Sequence, residues 1–279
     1  MYLGARRSSA IAGFDFLASS SEAAFGAAEA AFRGHLDREA CFLGRRASIR
    51  FADTAITRGF RMLPMPADIF TEPDNVSPDG LANLGPLRHL AGVWQADKGV
   101  DINPKAEGPE RRIFREHIRM DPIDPQANGP QLFYGLRYHI HINTPEEDIT
   151  FHDQVGYWLW EPATGLIMQS VAIPRGQVLL ASGLAKPDDK KISVTAKRGD
   201  TRYGICSTEF LEEAFRTDSY RCDITFNGDG SWTYAIETEL LVRGRDRPFN
   251  HHDTNTLKLV GAPALNPLAA ILKDRTEKR

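Results

Sequence analysis

The feature that most constrains this chain is the spacing of its apolar stretches between residues 90 and 260. Ten short segments alternate with Gly-, Pro- and Asn-containing turns, with turn signals every 8–14 residues. The segments are 90–97, 111–120, 131–142, 149–160, 165–173, 177–184, 191–197, 219–226, 231–242 and 251–260. Alternation of period two, bounded by turn residues, marks β-strands. In 131–143, Leu132, Tyr134, Leu136, Tyr138, Ile140 and Ile142 take one face. Gln131, Phe133, Gly135, Arg137, His139, His141 and Asn143 take the other. Asn227-Gly228-Asp229-Gly230 reads as a hairpin turn. A single interior helix is predicted at 208–215, with Thr208 as its cap and Glu209, Glu212 and Glu213 where the helix dipole favours acid. So many short strands with so little helix predict an all-β fold, a ten-stranded antiparallel β-barrel. A small barrel removes open sheet edges and encloses a cavity for one ligand.

The N-terminal quarter has a different texture. Residues 1–61 carry nine arginines and no lysine, and every lysine lies at or after Lys98. Residues 21–36 suit a helix, with Ser21 as cap and a stripe of Phe25, Ala28, Phe32 and Leu36. We expect 1–64 to be an extension, poorly structured or partly helical, or the product of an upstream start, with Met65 as a sensible alternative start. A targeting peptide is the competing reading. Glu22, Glu29, Asp37 and Glu39 are too acidic for one, and no apolar h-region is present. The expected boundaries are then a lead-in at 65–84, the barrel at 85–262, and a tail at 263–279 that is a short helix or a loose end.

Charge and cysteine usage narrow the partners. A net charge of −3 offers no basic field for nucleic acid or an anionic membrane surface. No run of 18 apolar residues is present to span a bilayer. Cys41, Cys206 and Cys222 are scattered, without C-x-x-C spacing, which suits a reducing cytoplasm better than a disulfide scaffold.

The residues able to carry chemistry are mostly histidines. His251-His252-Asp253 opens the last strand. Neighbouring strand residues face opposite sides, so only one of the two imidazoles points inward without a bulge. Imidazole is a common ligand for haem iron, zinc and copper, and Asp253 could orient it. A solvent-facing pair at a strand end is the plain alternative. His139 and His141 share a strand face, and His152 shares one with Gln154, Gly156, Trp158 and Trp160. A metal enzyme built on His139, His141 and His152 needs all three on one inner wall. Glu237 and Glu239 read as an exposed ladder. The sequence holds no G-x-S-x-G, P-loop or G-x-G-x-x-G.

Four stretches together resemble the nitrobindin family: LAGVWQADKGVDINP, FHDQVGYWLWEPATG, AIPRGQVLLASG and PFNHHDTNTLKLV. The resemblance covers about 85–260. Gly92-Val93-Trp94 keeps the family's opening G-x-W, and Gly156-Tyr157-Trp158 matches its central G-Y-W strand. The closely spaced glycines and Tyr-Pro that follow in the family are replaced by Gln95 to Gly99 and Ile102-Asn103-Pro104. The resemblance implies a lipocalin- or FABP-like barrel holding ferric haem b through one histidine of the last strand, here His251 or His252. It also implies nitric oxide binding and isomerisation of peroxynitrite to nitrate. Trp94, Phe133, Trp158 and Leu159 become candidate pocket walls, and Arg137, His139 or Arg175 candidate partners of a haem propionate.

A haem-free carrier of an apolar small molecule is the second reading, with Arg137 or Arg243 anchoring a carboxylate inside the barrel. The large apolar face of 131–142 also suggests a homodimer. Removing residues 1–64 is expected to leave the melting temperature unchanged. A large fall in a thermal denaturation scan would refute the assignment of 1–64 as an extension.

Overall fold

The structure, a computed structural model, describes residues 66–147 and 149–278. The expected extension and its 21–36 helix lie outside the described residues. What is described belongs to one unit, Arg61–Arg279.

Each of the ten expected strands is present. They are β1 (Gly92–Lys105), β2 (Gly108–Pro122), β4 (Gln131–Asn143), β5 (Thr150–Glu161), β6 (Leu166–Ile173), β7 (Gln177–Leu184), β8 (Lys191–Arg198), β10 (Phe215–Phe226), β11 (Trp232–Val242) and β12 (Phe249–Gly261). Two short strands add to them, β3 (Gln126–Asn128) and β9 (Gly204–Ser207). At three and four residues they are too short to show alternation. The predicted helix is α1 (Glu209–Ala214), and the tail carries α2 (Pro267–Glu277).

Neighbouring long strands run antiparallel in a ring, and two pairings close it. β12 returns to β1, and β2 skips β3 to pair with β4 from Arg115↔Asn143 to Pro122↔Leu136. β9 lies between β7 and β8, parallel to β8. Closure gives every strand one inner and one outer face. The apolar face of β4 is the inner one: Tyr134, Leu136 and Tyr138 are buried, so the face expected to support dimerisation is core. One end of the barrel is plugged by the lead-in, whose 3-10 turns Leu81–Asn83 and Gly85–Leu90 bury Leu84, Leu87 and Leu90 completely. Trp94 Nε1 donates to Leu90 O at 2.8 Å and ties β1 to that plug.

β1 is not regular. Its pairing with β2 slips between Ala96 and Gly99, which is a β-bulge. The extra residue reverses the facing along the strand. Trp94 points inward before the bulge, and Asp101 is buried against the interior after it. Gly99 is needed there, because a Cβ would lie 2.1 Å from the Phe114 ring. Phe114 is itself 1% exposed and has little room to yield. Gly99→Ala should therefore destabilise the barrel by about 1–3 kcal/mol through overpacking. Gly228→Ala, where nothing lies within 4 Å, should change stability little. Chemical denaturation of the two variants checks the contrast.

Candidate functional site

The barrel encloses a cavity of about 440 Å³ that reaches from the polar floor at Glu116 to the end where β1 finishes and β12 begins. Phe114, Ile140, Ile142 and Phe151 give it apolar walls, and Lys105, Arg112 and Arg175 also line it. A concave, mostly apolar space with a few convergent polar groups is the usual form of a small-molecule site.

Facing along β12 separates the two adjacent histidines. His251, Asp253 and Leu257 share the inner face, and His251 and Asp253 line the cavity. His252, one residue on, faces the opposite side. His251 Nε2 lies 2.8 Å from Asp101 Oδ1 and 3.7 Å from Asp253 Oδ2. Asn103 Nδ2 donates to the other oxygen of Asp101 at 2.6 Å and fixes that carboxylate. Burial alone would push the His251 imidazole down. The hydrogen bond that His251 donates to Asp101 and the charge of Asp253 outweigh it and hold His251 above its ordinary value. Burial pushes Asp101 up as well, but its bonds to His251 and Asn103 bring it below the usual carboxylate value. Asp253 goes the other way, raised by burial and by the neighbouring Asp101 charge.

Deeper in the cavity stands Glu116, 1% exposed. Tyr234 Oη donates to its Oε2 at 2.9 Å and Asn255 Nδ2 at 2.8 Å. Trp232 also lines the cavity, and its buried Nε1 has no hydrogen-bond partner. The floor therefore offers the Glu116 carboxyl to anything that enters.

The other expected site residues divide by facing. Trp158 lines the cavity from β5. Trp94 is 3% exposed but belongs to the plug, edge-to-face with Trp232 at 5.8 Å, and does not line the cavity. Arg137 is exposed on the outer wall, set between Asp121 and Tyr157 in the ladder, and cannot reach a group inside. Phe133 and Leu159 share Arg137's outward parity and do not line the cavity, although Phe133 is buried. His139 bonds Asp153 at 3.0 Å and His141 bonds Thr150 Oγ1 at 2.9 Å, both outside, whereas His152 points inward. The three-histidine metal enzyme fails on that geometry. Arg243 is exposed too, so the carrier reading loses both its carboxylate anchors. Of the predicted propionate partners only Arg175 is at the cavity, with Nη2 3.4 Å from His152 Nδ1.

Asp101, Lys105, Arg112 and Glu116 are site residues that sequence reasoning missed. For Asp101 the available signal was Gly99 inside a strand, the mark of a bulge. For Glu116 it was a lone acid on the apolar face of Phe114, Ile118 and Met120.

Fold and site together define a closed antiparallel barrel that presents one imidazole to an internal cavity. The chain matches the family described as the THAP4-like, heme-binding β-barrel domain over residues 83–258. It belongs to that family, the nitrobindin family that its motifs resemble. No curated protein matches the chain. Among solved structures it is similar to the crystal structure of Rv2717c from M. tuberculosis, at 16% identity and a TM-score of 0.46, covering 67% of this chain and 99% of that one. Among the described residues no helix is long and apolar enough to cross a membrane.

The buried carboxyl at the floor has a measurable consequence. Burial raises Glu116 from 4.5 to about 7, against the opposing hydrogen bonds of Asn255 and Tyr234. The folded state thus keeps a proton that the unfolded state has already lost between those pH values, and folding is penalised as pH rises through that window. Above it the penalty is complete, up to about 3 kcal/mol. Glu116→Gln should accordingly add stability at pH 8 and little at pH 4. Urea denaturation of both proteins at the two pH values checks the sign, and an equal effect at both would contradict it.

Proposed function

We propose that this barrel binds haem b through His251 near the cavity mouth. The reading rests on one observation above all: of the two adjacent histidines, His251 is the one that lines the cavity. The residues fit the group in kind. An imidazole stands on the wall, apolar side chains suit a macrocycle, and Lys105, Arg112 and Arg175 are placed to meet propionates. When bound, the haem would supply ferric iron with one open coordination position, able to bind nitric oxide and to isomerise peroxynitrite to nitrate.

The chain's own contribution is positional. Asn103 holds Asp101, and Asp101 holds the imidazole ring in one orientation. Nε2 is engaged by Asp101, so ligation through that nitrogen requires the carboxylate to release it. The apolar walls of Phe114, Ile140 and Phe151 would help to exclude water around a bound haem. The partner is a small molecule in this reading, and the compartment a reducing cytoplasm. A carrier of an apolar molecule is the second reading, favoured by the apolar walls of Phe114, Ile140, Ile142 and Phe151.

Hemin added below stoichiometry to the full chain should give a defined Soret band. His252→Ala should retain it and His251→Ala should lose it. A wild type that gives no specific band would end the haem reading. A band lost only in His252→Ala would transfer the role to that residue.

A further inference from the structure

Around His251 stands a donor set that haem ligation does not use. Asp101 and Asp253 are direct partners across the β1–β12 ladder, and both point into the cavity beside the imidazole. One ligating atom from each of Asp101, His251 and Asp253 lies within 4.8 Å of the others. Ligands bonded to a divalent transition ion at 2.0–2.2 Å stand roughly 3.0–3.5 Å apart. The observed separations of 2.8 and 3.7 Å bracket that range, so small side-chain rotations would complete the set.

Two independent observations point to a cation. The first is charge. Two carboxylates, 12% and 23% exposed, share one imidazole, and among the described residues their ion pairs are with His251 alone. Asp253 meets that imidazole only at 3.7 Å, beyond hydrogen-bond reach, and its hydrogen bond is with the other carboxyl, Asp101. The second is the strand itself. The bulge between Ala96 and Gly99 turns Asp101 inward. Asn103 then orients the carboxylate, leaving Oδ1 directed at the site, as outer partners of metal ligands do.

We propose that Asp101, His251 and Asp253 form a binding site for a divalent first-row transition ion, with its remaining coordination positions open to the cavity. One nitrogen and two carboxylate oxygens suit Zn²⁺, Fe²⁺ or Mn²⁺, and the imidazole disfavours Mg²⁺ and Ca²⁺. The site shares His251 with the haem reading but does not depend on it. With both taken through Nε2 of His251, the two occupants are mutually exclusive.

The test uses the full, metal-stripped chain. Zn²⁺ titrated by calorimetry should bind one equivalent. Affinity should fall at least tenfold in Asp101→Asn and in Asp253→Asn, vanish in His251→Ala, and stay unchanged in His252→Ala. It should also survive His139→Ala with His141→Ala, which removes the exposed pair. Circular dichroism checks that each variant is folded. Co²⁺ added to wild type should give ligand-field bands that Zn²⁺ abolishes, which needs no variant at all. No saturable heat and no Co²⁺ bands would overturn the proposal. So would binding that persists in His251→Ala, or that disappears only with His139 and His141. Zn²⁺ added before hemin should suppress the Soret band. A Soret band without any Zn²⁺ heat sinks the cation site alone, and Zn²⁺ heat without any Soret band sinks the haem reading alone.

Discussion

Everything in this molecule depends on the pairing of β2 with β4. Without that ladder, from Arg115↔Asn143 to Pro122↔Leu136, the sheet would be open and its faces would be two surfaces rather than an inside and an outside. With it, the strand period of two becomes a rule about solvent. Side chains of one parity enter a shared, largely dry interior, and those of the other meet water. The same rule that buries Tyr138 exposes Arg137, and the same rule that presents His251 to the cavity turns His252 away.

A closed interior then gives its polar residues unusual weight. Glu116 sits among aromatic and aliphatic side chains with two donors on one oxygen, and burial makes it a weak acid. Asp101 and Asp253 stand on adjacent strands with one imidazole between their charges. Such groups are costly to bury unless something compensates them. The compensation available here is hydrogen bonding from Tyr234, Asn255 and Asn103, and, in our reading, a metal centre at His251. The polar column and the apolar walls are parts of one cavity, and this juxtaposition is what makes the site chemically capable.

Most of the barrel was legible because alternation is a local property. All ten long strands and α1 could be read from runs of a dozen residues or fewer, since each side chain's facing follows from its neighbours'. β3 and β9 escaped because three or four residues carry no period. The failures at the site have separate causes. Strict alternation counted from Trp94 leaves Asp101 outside, and only the bulge at Gly99 brings it in. The shared face of His251 and Leu257 follows from parity, whereas the family resemblance alone leaves His251 and His252 both open. Arg137 lies on the polar face of β4 in the sequence itself, so its chemical suitability for a propionate does not bring it inside. Distances across the ladder, such as Asp101 to His251 over 150 positions of chain, belong to closure and to no local pattern.

The central claim is that His251 is the imidazole this barrel presents to a metal centre. Anomalous diffraction at the iron edge, from crystals of the hemin-loaded full chain, tests it most directly. The account predicts a single iron peak inside the barrel, bonded to a ring nitrogen of His251. An iron peak at His252, or one outside the barrel wall, would contradict it.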